Sequence, residues 1–130
     1  MSKKRRKDQR LECIAYVSVE AELNRVEKLE SKQERYIREY ANAHNIDIVA
    51  VEYRHGFGQM DVNRQINDIA RLISLNKVQG IIVSNIERII PKNDLVDAYK
   101  KIGIIKSVGG KFISVENNGD LDLGICLERN

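Results

Sequence analysis

The segment "LECIAYVSV", residues 11–19, decides the fold, because it is an apolar run of strand length near the start of the chain. Its apolar residues fall on both faces of the predicted strand instead of alternating with polar ones. A strand of this kind is typical of the interior of a parallel sheet that helices cover on both sides. The segment therefore predicts a central strand of an α/β domain.

Further along the chain, apolar runs of strand length alternate with segments of helical period. Strands are predicted at residues 46–53, 78–86 and 111–116, and helices at residues 31–45, 62–76 and 94–108. This order implies a three-layer, flavodoxin-like domain, in which a mainly parallel sheet of four to five strands carries helices on both faces. Such folds place their sites at the carboxyl ends of the strands.

A short motif predicts where the first helix begins. Ser31 and Glu34 fit the capping box S-x-x-E, which predicts that the helix begins at Ser31. The segment just before it carries Leu23, Val26 and Leu29 at helical spacing. That spacing fits either additional helical turns or an ordered loop, and the sequence leaves both open.

The size and composition of the chain fit one ordinary domain. Its 130 residues are enough for a single core, and 42% hydrophobic with 32% charged residues is a usual balance for a soluble protein. The sequence contains no apolar run of the ~18 residues that a membrane span requires. No secretory signal follows the N-terminus, so we expect a cytoplasmic domain over residues 11–130.

The first ten residues, "MSKKRRKDQR", form a basic tail that we expect to be disordered. They contribute +5 to a net charge of +3, which leaves −2 for the rest of the chain. A Lys/Arg block of this kind either contacts DNA phosphates non-specifically or serves as a solvated solubility tail. The candidate DNA-binding residues in the tail are Lys3, Lys4, Arg5, Arg6, Lys7 and Arg10.

Neither metals nor cofactors are indicated. Cys13 and Cys126 lie far apart in apolar contexts, which predicts two reduced, buried thiols. His44 and His55 have no second ligand at helical spacing. The "GFG" of residues 56–58 lacks the third glycine of a dinucleotide fingerprint and follows the second strand instead of the first. A phosphoacceptor receiver domain would need an Asp at the end of the third strand, where the chain reads Val-Ser-Asn.

Polar residues gather at two of the predicted strand ends. Tyr16, Ser18 and Glu20 alternate along one face of the first strand as it ends. Glu87 and Arg88 follow the third strand. Because the carboxyl ends of parallel strands meet at one edge of a sheet, we expect a site to be formed by the segments after the first, second and third strands, at residues 18–22, 54–59 and 84–92.

The order and spacing of these motifs resemble the N-terminal catalytic domain of the serine recombinases, the resolvase/invertase family. The family motif Y-x-R-x-S is matched by "YVSVE" at residues 16–20 and D-x-G-x-S-G, loosely, by "RHGFGQ" at 54–59. The motif K-L-D-R-L-S-R is matched by "NIERIIP" at 85–91, and G-V-x-L-x-S-V by "GGKFISVENN" at 109–118. The resemblance spans about residues 11–124 and implies a resolvase-like fold. It also implies a candidate site at the positions that match the family active site, which are Tyr16, Ser18, Glu20, Glu87 and Arg88.

The departures from the family motifs fall on the chemistry that the resemblance implies. The family's serine attacks a DNA phosphodiester, and Glu20 stands at that position. Ser18 and Pro91 replace two arginines that would neutralise the phosphate, whereas Arg88 is kept beside an acidic Glu87. The resemblance therefore implies a domain that does not cleave DNA. An alternative is an active recombinase fragment in which Ser18 has become the nucleophile.

The resemblance also implies partners. It predicts association with DNA and an accessory or regulatory role, through self-association or association with an active recombinase. Arg64 is the candidate for the arginine that the family carries near the start of the second helix, with a register that is open by one residue. Family members continue into a dimerisation helix and a DNA-binding domain, and we expect this chain to end near the start of that helix. A small α/β binding or signalling module unrelated to recombination is the third interpretation.

Overall fold

The computed structural model describes residues 10–54, 58–117 and 119–121 of the chain. Most of the basic tail, the C-terminal residues 122–130 with Cys126, and His55 lie outside the described residues. The strands are β1 Leu11–Val17, β2 Ile46–Tyr53, β3 Gly80–Val83, β4 Lys111–Ser114 and β5 Gly119–Asp120. The helices are α1 Leu23–Ala43, α2 Gln59–Ser74 and α3 Leu95–Ser107, with short 3-10 turns at Ile86–Arg88 and Val115–Asn117.

The strands form one sheet in the order β2-β1-β3-β4-β5. β1 pairs in parallel with β2 and β3, and β3 pairs in parallel with β4, whereas β5 runs antiparallel to β4. This is the predicted mainly parallel α/β sheet, and β1 lies in its interior, paired on both sides, as expected. Within the described residues, no helix is both long enough and apolar enough to cross a membrane.

The two faces of β1 belong to two separate cores. Ile14 packs in a cluster that includes Ile66 of α2 and Ile102 of α3. Ala15 packs in a second cluster that includes Ile37 of α1. The strand is apolar on both faces because helices cover the sheet on both sides, which confirms the three-layer prediction.

The helix α1 is longer than predicted. It begins at Leu23, so Ser31 and Glu34 lie in the helix interior and the predicted capping box is wrong. The helical spacing before Ser31 marks a real helical face, since Val26 is buried and Leu29 packs against the core. Nothing between Leu23 and Ser31 breaks the helix, and burial of the apolar face extends it.

Three strands, β1, β3 and β4, end earlier than predicted, and at β1 and β3 side chains bind the backbone where the strand ends. β1 stops at Val17, because the Gln33 side chain pairs with the backbone of Ser18. The Ser18 N–H donates to Gln33 Oε1 at 2.8 Å, and Gln33 Nε2 donates to the Ser18 carbonyl at 3.0 Å. After β3, the Asn85 side chain accepts a hydrogen bond from the Glu87 N–H and starts a 3-10 turn.

Candidate functional site

Three chain segments meet at the edge where the parallel strands end, here called the carboxyl edge. The Ser18 hydroxyl, just after β1, donates to the backbone carbonyl of Arg88 at 2.7 Å. Arg54, the residue after β2, donates from Nη1 to both Ser18 Oγ and the Arg88 carbonyl, each at 3.2 Å. One buried guanidinium therefore joins the ends of β1 and β2 to the turn that follows β3.

Arg54 opens the candidate segment predicted after the second strand, but its contacts with Ser18 and Arg88 were not predicted. Only 2% of the Arg54 surface is exposed, and its Nη2 lies 3.5 Å from Glu20 Oε2. The Glu20 side chain is 69% exposed, so it offers the cation a carboxylate that faces solvent. The sequence carried one signal: Arg54 opens "RHGFGQ", where the family loop opens with Asp, while Ser18 stands where the family has arginine. The guanidinium of Arg54, at the end of the neighbouring strand β2, therefore contacts Ser18, the position where the family has its own arginine.

The Ser18 side chain is enclosed in this arrangement. Its exposed fraction is 2%, and the single hydroxyl hydrogen is directed to a main-chain carbonyl. The Arg54 guanidinium donates to the Ser18 hydroxyl oxygen, and the Gln33 side-chain amide hydrogen-bonds to both the N–H and the carbonyl of Ser18. A serine that acts as a nucleophile needs an approach path and a base for its proton, and Ser18 has neither a free face nor a neighbouring base among these contacts.

Tyr16 lies apart from the other predicted site residues. It is fully buried, and its hydroxyl donates to Gln65 Oε1 at 2.5 Å. The Gln65 Nε2 in turn donates to the Tyr53 carbonyl at 3.0 Å. Burial raises the pKa of the Tyr16 hydroxyl above its usual value. The predicted set is therefore divided: Tyr16 ties β1 to α2 inside the core, whereas Ser18 and Glu20 lie at the carboxyl edge.

Arg64, Glu87 and Arg88 are exposed. Glu87 and Arg88 form part of the 3-10 turn after β3, where the carbonyl of Arg88 points to Ser18 and Arg54. The Arg64 side chain is 65% exposed on α2 and forms an ion pair with Asp61 at 2.8 Å. A surface pair of this kind contributes little to stability, so Arg64 can exchange its partner for an incoming anion at small cost.

Arg10 lies at the start of β1, at the opposite edge of the sheet from Ser18. Its Nε is 3.4 Å from Asp47 Oδ1, and its Nη2 donates to the Ile46 carbonyl at 3.5 Å. The other predicted DNA-binding residues of the tail lie outside the described residues. The chain thus enters the sheet at the edge opposite to the strand-end residues.

The described residues contain no group of three or more His, Cys, Asp or Glu side chains that could hold a metal ion. The His44 ring stacks on Tyr40 with ring centroids 3.8 Å apart. Cys13 is a free, fully buried cysteine, and burial raises the pKa of its thiol to about 12. The thiol is therefore protonated and unreactive at neutral pH.

A cavity of about 410 Å³ opens at the carboxyl edge, between α1 and the segments that follow β1, β3 and β4. Glu20 and Arg88 line it, together with Lys32 on α1 and Ser84 at the end of β3. Ser18 and Arg54 lie behind this wall and do not line the cavity. Two of the residues at predicted site positions therefore border open space, whereas Ser18 does not.

The sheet order, the helices on both faces and the cluster at the carboxyl edge define a resolvase-like α/β domain. No protein-family model matches the sequence, and no curated protein matches it either. A resolvase family site-specific recombinase from Streptococcus pneumoniae has the same fold, with a TM-score of 0.73 and 18% identity over 91% of this chain and 82% of that one. The chain therefore has the fold that the sequence motifs predicted.

Two further serine recombinase domains share the fold. The N-terminal catalytic domain of TP901-1 integrase matches with a TM-score of 0.59 and 17% identity, over 82% of this chain and 78% of that one. The C-terminal catalytic domain of ISC1926 TnpA, an IS607-like serine recombinase, matches with a TM-score of 0.59 and 16% identity, over 92% and 77% of the chains. Identities at this level establish a common fold, and function has to be argued from the site.

Proposed function

We propose that this chain is a cytoplasmic recombination-associated domain that does not cleave DNA itself. It acts as an accessory or regulatory domain, through self-association or through association with an active recombinase. The fold supports the link to recombination, because the three structural neighbours described above are serine recombinase catalytic domains. The loss of cleavage rests on a separate observation at the end of β1.

That observation is the exposed carboxylate of Glu20 beside the buried guanidinium of Arg54. Glu20 stands where the family motif has its nucleophilic serine, and its carboxylate lies 3.5 Å from Arg54 Nη2. A carboxylate at this position repels a DNA phosphate and cannot form the stable phosphodiester of a phosphoseryl link. The nearest cation is occupied by the same carboxylate, so less positive charge is left to stabilise a phosphoryl transition state.

The geometry of Ser18 argues against the alternative in which this serine replaces the missing nucleophile. Ser18 is 2% exposed, and its hydroxyl donates a hydrogen bond to the Arg88 carbonyl. Attack on a phosphorus atom requires the oxygen to approach in line, within about 3–3.5 Å. Ser18 would have to break its contacts with Arg54, Arg88 and Gln33 to reach a substrate.

A covalent-trapping assay tests the proposal. The full chain is incubated with nicked suicide substrates of DNA, and covalent adducts are separated on a denaturing gel. We expect no adduct from the wild-type chain or from the Ser18→Ala variant. An adduct that forms with the wild type and is lost in Ser18→Ala, but is retained in the exposed control Ser31→Ala, would overturn the proposal and establish the displaced nucleophile.

A salt titration separates both recombination readings from an unrelated α/β binding module. DNA affinity is measured by fluorescence anisotropy between about 50 and about 200 mM salt, where phosphate contacts give a steep dependence. We expect weak, salt-dependent binding that falls when the five basic tail residues are replaced by alanine: Lys3, Lys4, Arg5, Arg6 and Lys7. The absence of binding at the lowest salt concentration would favour the unrelated module.

A further inference from the structure

An open groove runs between α1 and the segment that follows β4. Its volume is about 730 Å³. The residues that line it are Tyr36, Glu39, Tyr40 and His44 on the side of α1, and Val115 and Glu116 on the side of β4. No lysine or arginine among the described residues lines it. The groove therefore combines aromatic rings with negative charge.

The aromatic side chains form a stripe along α1. Tyr36, Tyr40 and His44 are spaced by four residues, which places them on one flank of the helix. The rings of Tyr40 and His44 stack with their centroids 3.8 Å apart, and Tyr36 is 43% exposed. Accessible aromatic faces attract the cationic side chains of lysine and arginine. The stripe is therefore a surface on which a basic segment can lie.

The two carboxylates of the groove are not neutralised by a cation within the described parts of the chain. Glu39 and Glu116 are both exposed, and neither forms an ion pair there. Glu116 accepts one hydrogen bond, from the neutral side chain of Asn85 at 2.9 Å. Two unneutralised carboxylates in one groove favour a ligand that brings positive charge.

The basic tail joins β1 beside one end of this groove. The Leu11 N–H donates to the Asn45 carbonyl at 3.3 Å, and Asn45 directly follows His44 of the groove. An extended chain of nine residues, the length of residues 1–9, can reach about 30 Å. The helix from Tyr36 to His44 is only about 12 Å long. The tail is therefore long enough, and attached close enough, to lie along the whole groove.

We propose that the groove binds the basic tail of the same chain, through the lysine and arginine side chains of residues 3–7. These cations pair with the carboxylates and lie against the aromatic rings. A segment attached by a few residues has an effective concentration of about a millimolar, which favours the chain's own tail over a separate basic peptide. Docking withholds these cations from DNA phosphates. That consequence rests on the proposed DNA contact of the tail, whereas the docking itself does not.

Limited trypsin digestion of the full chain measures the docking, because trypsin cleaves after lysine and arginine and a docked tail is protected. Mass spectrometry follows the release of tail peptides. We expect Glu39→Lys and Tyr36→Ser each to raise the rate of tail cleavage about threefold to fivefold. Glu27→Lys is the matched control, because Glu27 is an exposed acidic residue of α1 that does not line the groove. Tail cleavage at the wild-type rate in both groove variants would overturn the proposal.

A labelled peptide with the sequence of residues 1–10 tests whether the groove is already occupied. Fluorescence anisotropy compares its binding to the wild type and to a variant in which residues 3–7 are alanine. We expect binding to the alanine variant to be about threefold to fivefold tighter, because the wild-type groove holds its own tail. Adding Glu39→Lys to that variant should weaken the binding, and adding Glu27→Lys should not. Equal affinity for the wild type and the alanine variant, or no binding to the variant at millimolar peptide, would overturn the proposal.

The dependence on protein concentration distinguishes the chain's own tail from the tail of a second copy. At a fixed trypsin concentration below saturation, we expect the fraction of tail cleaved per minute to stay constant over about a hundredfold range of protein concentration. Protection that increases with protein concentration would overturn the assignment to the same chain and identify a second copy as the source. Because these experiments contain no DNA, they succeed or fail independently of the covalent-trapping assay and the DNA salt titration.

Discussion

Arg54 and Lys101 are the two buried cations within the described residues, and the protein compensates their charges in different ways. Lys101 is 1% exposed, and it pairs with Asp97 one turn earlier on the same helix. Arg54 is 2% exposed, and its described contacts at Ser18 and Arg88 are 36 and 34 residues away in sequence. The Lys101 pair forms with α3 itself, whereas the Arg54 contacts exist only in the assembled sheet.

This difference shows when a buried charge holds together segments that are far apart in the sequence. Burial of an ion carries a desolvation cost of several kcal/mol, which only well-formed contacts offset. At Lys101 the compensation is local, with one additional hydrogen bond of 3.2 Å to Gln59 Oε1 on α2. At Arg54 the compensation requires that the ends of β1 and β2 and the turn after β3 are all in place. Arg54 therefore couples the segments that form the candidate site.

The largest predicted effect follows from removing Arg54. We expect Arg54→Met to lower the free energy of unfolding by about 3 kcal/mol, because it removes a buried cation from several hydrogen bonds and from Glu20. Urea unfolding monitored by circular dichroism measures the change. Arg38→Met is the control, since the Arg38 side chain is 48% exposed in its pair with Glu34. A loss equal to that of the control would contradict the coupling role.

The second prediction concerns Gln33, which supports the same junction from α1. Gln33→Met removes two hydrogen bonds to the Ser18 backbone and leaves one partly buried N–H and one carbonyl unsatisfied. We expect a loss of about 2 kcal/mol in the free energy of unfolding. A double variant with Arg54→Met should lose less than the sum of the two single losses, because both residues hold Ser18. Strict additivity would show that the two act independently.

Lys101→Met should have a smaller effect than either of these. The methionine fills the apolar volume of the lysine stem, and the carboxylate left behind lies in the first turn of α3, where the helix dipole favours negative charge. Asp97 is also 19% exposed and can gain water. We expect a loss of about 1 kcal/mol. A loss as large as that of Arg54→Met would abolish the distinction between local and long-range compensation.

The same distinction explains what the sequence could predict. The apolar runs and helical periods identified every layer of the fold, and the bounds of β2 were predicted correctly, because these patterns depend on neighbours in the chain. The sequence placed Arg54 in a candidate segment, but it did not predict the contacts with Ser18 and Arg88, because local patterns do not place these residues beside it. The helix start predicted at Ser31 was wrong, because the S-x-x-E pattern also occurs inside helices. Here the buried apolar face continues before Ser31 and extends the helix.

The sequence also could not predict that the buried Ser84 hydroxyl has no hydrogen-bond partner among the described residues. A serine at the end of a buried strand is consistent with a hydrogen bond to a nearby backbone group or with a place in a cavity wall. Only the packing of α1 against the strand ends decides between them. Lys32 and Tyr36 are on one helix at i and i+4, so the sequence does place them on one face. It gives no sign that this face borders Ser84 and Arg88.

The smallest predicted effect tests a surface junction next to Arg54. The Tyr53 hydroxyl and Arg38 Nε both donate to the Glu34 carboxylate, and these hydrogen bonds hold its pKa below the usual value. A carboxyl group whose pKa is lowered on folding stabilises the folded protein at pH values above its usual pKa. This stabilisation is lost as the pH falls through the lowered pKa. Between about pH 7 and about pH 3, we expect the wild type to lose up to about 1 kcal/mol more than Glu34→Gln, because Glu34 is partly exposed. Urea unfolding of both proteins at several pH values measures this difference. Parallel pH profiles would mean that the junction at Glu34 contributes nothing to the stability of the protein.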